Sequence, residues 1–234
     1  MTLIVLAAGA SRGLVTRLAP RIAAATGHEL DAQFTAAGAI FAKATGEAPC
    51  DLVILTQALM ERLEVAGKLA GRVRPIGVAR TGIGVPAGAP MPAIGNEAAL
   101  RASLLAATAI YMPDPEISTA GAHLMRILRA LGIAEAVAPR LRPFPNGATA
   151  MRALAAEAAP GALGCTQITE IIETPGLVVV GPLPAPHGLA TLYAAAVHAK
   201  ATEPEAARAM LTLLTGPEAA KLRADEGFER PAAK

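Results

Sequence analysis

Residues 30–67, LDAQFTAAGAIFAKATGEAPCDLVILTQALMERLEVAG, read as strand, helix, strand, helix with almost nothing between them. Residues 30–34 carry the first strand signal, and 37–44 a helical face that stops near Gly46. The unbroken apolar run 52–55 is a strand with no polar side, and 58–66 is a helix closed by Gly67. A strand that is apolar on both faces needs cover on both. The alternation therefore predicts an α/β fold, a mainly parallel sheet with helices on either side.

Working outward, residues 3–7 are another continuous apolar run, and Leu14, Leu18 and Ile22 mark a helical face ringed by Arg12, Arg17 and Arg21. On the other side, the Gly- and Pro-rich stretch RTGIGVPAGAPMP at 80–92 reads as an extended crossing into a second unit. Beyond it the alternation resumes, with helices at 97–105, 119–131 and 147–158 and strands at 109–112, 162–166 and 177–180. After a proline-broken run at 181–186, a strand at 189–197 leads to two last helices, 203–214 and 217–226. The expected organisation is two lobes, 1–79 plus 190–234 and 80–189, joined by two crossing strands with a ligand cleft between them.

Charge and composition remove several classes of function. The chain has 234 residues with 21 basic and 19 acidic side chains, so it lacks the basic footprint that a phosphate backbone requires. Four Phe, two Tyr and no Trp leave few platforms for stacking bases, which argues against nucleic acid as a partner. A bilayer span needs about 20 continuous apolar residues. The longest uncharged run, 174–199, is cut by Pro175, Pro182, Pro184 and Pro186, so no membrane insertion is expected. The two cysteines, Cys50 and Cys165, sit far apart without a CxxC or a nearby histidine pair. They read as small buried hydrophobes, and no metal site or cofactor is expected. Residues 2–10 resemble the apolar part of an export signal, but no basic residue precedes them. The expectation is a cytoplasmic protein as written, or a periplasmic one if a leader has been removed.

One device recurs. A strand ends in small residues and a helix starts at once, at Ala8-Gly9-Ala10-Ser11, Thr35-Ala36-Ala37-Gly38, Ser118-Thr119-Ala120-Gly121 and Pro145-Asn146-Gly147-Ala148. Small residues let a ligand approach the backbone, and the first helical turn presents unpaired N–H groups at the positive end of the helix dipole. Any α/β chain needs tight turns. Four of them in one chain nevertheless suggest corners that hold a small anion without a lysine.

Taken in order, LAAGAS, QFTAAGAIFAKATGEAPCDLVILT, DPEISTAGAHLMRIL, GCTQITEI and ARAMLTLLTGPEAAKLRADEGFE resemble the molybdate-binding periplasmic proteins and, more widely, the type II solute-binding proteins. The resemblance covers nearly the whole chain. It implies the two-lobed fold described above and the substrate-binding component of an ABC transporter, acting as a monomer beside a permease if exported. In the molybdate binders a serine from each of the first two turns, backbone N–H groups of the second lobe and a tyrosine hold the oxyanion. Carried over by position, the first serine falls at Ala10 with Ser11 one step on, and the second falls at Ala36 or Ala37 after Thr35. The backbone donors fall at Ala120, beside Ser118 and Thr119, and at Asn146 and Gly147, while the tyrosine position is Gln167.

These departures bear on the ligand. A hydrogen bond to a charged group is worth roughly 1.5–3 kcal/mol, so losing two hydroxyls weakens tetrahedral oxyanion binding by about two to four powers of ten. Arg12 at the first turn can grip a carboxylate in bidentate fashion, which favours a small organic carboxylate over molybdate. Against this, Arg12 also reads as one of three solvated helix arginines.

The same resemblance opens an enzymatic alternative. Some relatives of this group are isomerases that move the double bond of aconitate without a cofactor. His123, two residues after the STAGA turn, is the candidate proton carrier in that case, and the alternative is a packed or capping histidine. His187 lies in the proline-rich return, while His28 and His198 read as ordinary positions. Glu170 reads as a cleft acid or, more simply, as a cap. Gly9-Ala10-Ser11-Arg12-Gly13 satisfies the bare Gly-x-Ser-x-Gly pattern of a hydrolase elbow, but so short a pattern arises easily in an alanine-rich chain.

Overall fold

The computed structural model describes residues 1–231. In chain order the elements are β1 (Thr2–Ala8), α1 (Arg12–Thr26), β2 (Glu29–Thr35), α2 (Ala37–Thr45), β3 (Leu52–Thr56), α3 (Gln57–Val65) and β4 (Leu69–Pro86). There follow α4 (Glu97–Ala106), β5 (Ile110–Pro113), α5 (Thr119–Ala130), α6 (Ala134–Val137), β6 (Leu141–Phe144), α7 (Gly147–Glu157), β7 (Leu163–Gln167) and α8 (Ile168–Ile172). The chain closes with β8 (Leu177–Pro182), β9 (Ala190–His198), α9 (Pro204–Thr215) and α10 (Ala220–Asp225). It divides into two compact units, Met1–Ala79 with Thr191–Lys234, and Arg80–Ala190.

In the first unit β1 lies between β2 and β3, parallel to both, and β9 runs antiparallel to β3. Leu14, Leu18 and Ile22 on α1 are fully buried, so the arginines between them are turned outward as the 3.6-residue period requires. Fully burying each such side chain is worth about 1.5–3 kcal/mol. The register places Ala8 opposite Thr35. The ends of β1 and β2, and the starts of α1 and α2 that follow them, therefore share one edge of the sheet, the carboxyl edge where open α/β sheets hold their ligands.

Asp51 locks this unit. Its carboxylate is buried and accepts hydrogen bonds from Ile4 N at 2.8 Å, Thr202 N at 2.7 Å, Glu203 N at 3.0 Å and the Thr202 hydroxyl at 3.1 Å. It thereby ties β1 to the residues that start α9.

In the second unit β5 pairs in parallel with both β6 and β7, and β4 runs antiparallel to β7 and β8. The carboxyl ends of β5, β6 and β7 thus lie along one edge. Asp114 N donates to Phe144 O at 2.6 Å where β5 and β6 run out. Gly121 is required in the first turn of α5, because a Cβ there would lie 2.2 Å from Pro113 O.

Most elements fall where the periodicities put them. The sequence did not show the first half of β4, whose Gly71, Arg72, Arg74 and Pro75 mimic a loop, nor β6 with its internal Pro143. The short α6 and α8 were also missed, and the expected helix 217–226 is a single tight turn followed by α10. Cys50 and Cys165 are free and buried, and burial pushes both thiols up to about 12. Among the described residues no helix is long and apolar enough to cross a membrane.

Candidate functional site

The corner after β1 is one tight turn, Gly9–Ser11, leading directly into α1. Ala10 and Ser11 are buried, and the Ser11 hydroxyl donates to Ala8 O at 2.8 Å. The proton of the one hydroxyl in this corner is thus spent on its own turn. The Arg12 guanidinium lies 5.5 Å from the centroid of Phe34, next to the last residue of β2. A cation over an aromatic face is held by the ring's quadrupole, so Arg12 is directed toward the second corner rather than lying loose beside Arg17 and Arg21.

That second corner is Thr35, Ala36 and Ala37. Ala36 is the N-cap of α2 in an extended conformation and has no side-chain oxygen to offer the first-turn N–H groups. Neither α1, α2 nor α3 receives a side-chain cap, and none has an acidic residue in its first turn. No residue of their own first turns therefore offsets the positive ends of α1 and α2.

The corners of the second unit are built differently. Ser118 accepts from Gly121 N at 3.5 Å, a long bond, where α5 begins with Thr119 and the buried Ala120. Asn146 caps α7 by accepting from Thr149 N at 2.9 Å and the Thr149 hydroxyl at 3.0 Å. The Thr166 hydroxyl donates to the carboxylate of Glu170 at 2.5 Å, and the backbone N–H groups of Ala148 and Gln167 lie close enough to favour its charged form. The Asn146 side chain thus takes the N–H of Thr149, and the Glu170 carboxylate stands close to that of Ala148. Gly147 is imposed by the same packing, since a Cβ would lie 2.0 Å from a Glu170 oxygen.

Glu170 is neither an exposed acid nor a cap on its own helix. It is buried, and burial pushes its carboxyl above the ordinary range, with the hydroxyl and N–H partners and Arg152 only partly offsetting it. Gln167 ends β7 opposite Thr81 of β4. Its side chain is buried, and among the described residues neither amide atom has a hydrogen-bond partner. The Thr81 and Thr169 hydroxyls are likewise buried and without partners. Sequence reading reaches Gln167 through the family's tyrosine position but not Thr81, which only the strand register brings opposite it.

The histidines are tied up locally. His123 Nε2 contacts His187 O at 2.8 Å and its Nδ1 lies 3.3 Å from an Arg126 nitrogen. An arginine can only donate, so Nδ1 is the acceptor and Nε2 carries the proton. With both ring nitrogens engaged, His123 acts in this structure as a strut between α5 and the return segment. His187 Nε2 sits 2.9 Å from Glu97, and His198 Nε2 3.0 Å from Ala44 O. Among the described residues no group of three or more His, Cys, Asp or Glu side chains could hold a metal ion.

Residues 3–229 match the family model of the bacterial extracellular solute-binding proteins. The chain belongs to this family. A curated aconitate isomerase from Pseudomonas sp is 32% identical over 238 aligned positions, covering 97% of this chain and 87% of that protein. Among solved structures, the periplasmic molybdate-binding protein of Azotobacter vinelandii aligns with a TM-score of 0.82 and 20% identity, over 98% of this chain and 100% of that one. The sulfate-binding protein of Mycobacterium tuberculosis aligns with a TM-score of 0.74 and 20% identity, over 97% of this chain and 86% of that one. At these identities the structures establish the fold, which is that of the type II periplasmic binding proteins. At the corner where Ala8 stands opposite Thr35, two helices begin without a side-chain cap, and Arg12 packs over the neighbouring Phe34.

Proposed function

We propose that this solute-binding protein captures a small organic polycarboxylate in preference to a tetrahedral metal oxyanion. The observation that carries this reading is the first-unit corner, where two uncapped helices without an acidic residue in their first turns start from adjacent strands, with the Arg12 guanidinium over Phe34 beside them. Its hydroxyl supply is poor, because Ser11 donates to Ala8 O and the second corner offers Ala36 and Ala37. A carboxylate needs fewer donors than a tetrahedral oxyanion and matches a guanidinium in bidentate fashion. As a receptor the protein would be exported and would deliver its ligand to an ABC permease.

Calorimetric titration with molybdate, tungstate, sulfate, citrate, aconitate and short dicarboxylates tests the reading. The polycarboxylates are expected to bind and the metal oxyanions to bind weakly or not at all, and the reverse order ends the proposal. Arg12→Ala is expected to weaken the bound carboxylate tenfold or more, a loss of about 1.4 kcal/mol. An unchanged Kd would return Arg12 to a packing role over Phe34.

The aconitate isomerase relative favours a second reading, in which the bound acid has its double bond moved. Incubation with cis- and trans-aconitate, followed by ultraviolet absorbance, separates catalyst from receptor. With its ring nitrogens committed to His187 O and Arg126, His123 would have to release one of these bonds to carry a proton.

A further inference from the structure

Beside the middle of β4, the first unit holds a cavity of about 520 Å³ between that strand, the end of α9 and the tail that follows α10. One pairing shapes it. Val78 N donates to Glu229 O at 2.9 Å and Glu229 N to Val78 O at 2.8 Å, which holds the tail alongside β4. Ile76 and Phe228, both 3% exposed, and Pro217 give the cavity apolar walls. Apolar walls, a volume of several hundred Å³ and a few converging polar groups make up the usual small-molecule site. The charged groups of this lining are Arg223, Arg230 and Glu229.

Arg223 sets the sign of the guest. Its Nη1 donates to Leu214 O at 2.8 Å and to Gly216 O at 2.9 Å, where α9 runs out, and among the described residues its Nη2 and Nε stay uncommitted. Burial pulls its pKa below the ordinary arginine value, and Glu218 only partly offsets this. The guanidinium is thus drawn out of water without a full counter-charge. Arg230, on the same lining, is exposed. Two arginines against one glutamate leave one positive charge in excess.

We propose that this cavity is a second ligand site, which takes a monocarboxylate with an apolar body. The carboxylate meets Arg223 and Arg230, and the body covers Ile76, Pro217 and Phe228. A monoanion matches the single excess charge, whereas a polycarboxylate would bring its further charges against apolar walls and Glu229. Every residue of the site belongs to the first unit, and the proposal is independent of the polycarboxylate reading.

2-Naphthoate and its uncharged counterpart 2-naphthylmethanol, titrated into the intact chain and followed by naphthalene fluorescence, test the site. Naphthoate is expected to bind about tenfold more tightly than the alcohol, and equally well in the presence of excess citrate. Arg230→Ala removes one cation of the lining, and Ala224→Phe adds a ring to its wall without deleting a side-chain hydrogen bond. Arg223 is kept because it also closes the end of α9. Naphthoate binding is expected to weaken about threefold in Arg230→Ala and about tenfold in Ala224→Phe. Absence of naphthoate binding, equal affinity for the alcohol, displacement by citrate, or an affinity that either variant leaves unmoved would overturn the site.

Discussion

The helix starts of the two units differ in their caps: α1, α2 and α3 of the first unit have none, while α4, α5 and α7 of the second unit do and its short α6 and α8 do not. The caps of α4, α5 and α7 are Asn96, Ser118 and Asn146. An N-cap side chain is worth about 1 kcal/mol to a helix, so the first unit forgoes that stabilisation at three neighbouring starts. The contrast teaches that a corner's composition says whether a helix can begin there, while the capping pattern says whether its donors remain for a ligand.

The buried carboxylates extend the contrast. Burial would raise Asp51, but Ile4 N, Glu203 N, Thr202 N and the Thr202 hydroxyl together bring its carboxyl below the ordinary value. At Glu170 burial outweighs its hydroxyl and N–H partners, and the carboxyl is shifted upward. The outcome turns on whether the donors outweigh desolvation.

The strongest way to break the comparison is at Asp51. Asp51→Ala strands four buried donors and is expected to destabilise the protein by about 3–5 kcal/mol, read as a fall in the urea midpoint. Because the folded carboxyl is shifted down, the stability Asp51 contributes is fully present above the ordinary Asp value of about 4 and is lost as pH falls through its lowered value. The Asp51→Ala protein should accordingly show a weaker acid-induced loss of stability than the unaltered chain. An unchanged midpoint would remove Asp51 as the tie between β1 and α9.

The capping difference can be tested from both sides. Asn146→Ala is expected to cost about 1 kcal/mol in chemical denaturation, since Thr149 N loses its acceptor. A smaller effect than that of Ser118→Ala, whose bond is the longer one, would invert the ranking drawn from geometry. Ala36→Ser places a hydroxyl at an extended N-cap and is expected to stabilise by about 0.5 kcal/mol or slightly more. The same substitution should weaken carboxylate binding at the first-unit corner, because the new oxygen would occupy the α2 donors. Gains in both stability and carboxylate affinity would show that this corner is not where the carboxylate binds.

Much of the fold was legible because burial imposes periods on a chain. Leu14, Leu18 and Ile22 recur at helical spacing with arginines around them, and the run through β3 could be covered only in a two-sided sheet. The first half of β4 escaped because its arginines, glycine and proline carry no apolar period, and it is a strand through tertiary pairing. The candidate corners were legible as small residues before helix starts. Which donors stay open was not, because Glu170 reaches Ala148 N from 22 positions along the chain and the Ser11 hydroxyl turns back on Ala8.

By itself the sequence determined the alternation of strands and helices, the family, and the small-residue corners, since each follows from local pattern and side-chain size. Only the tertiary structure decided that Ala8 stands beside Thr35, that Thr81 faces Gln167, and that the Glu170 carboxylate packs against Gly147 at the α7 start. The reason is physical. Strand register and burial set which polar groups are satisfied, and both depend on partners distant in the chain, on which local pattern is silent.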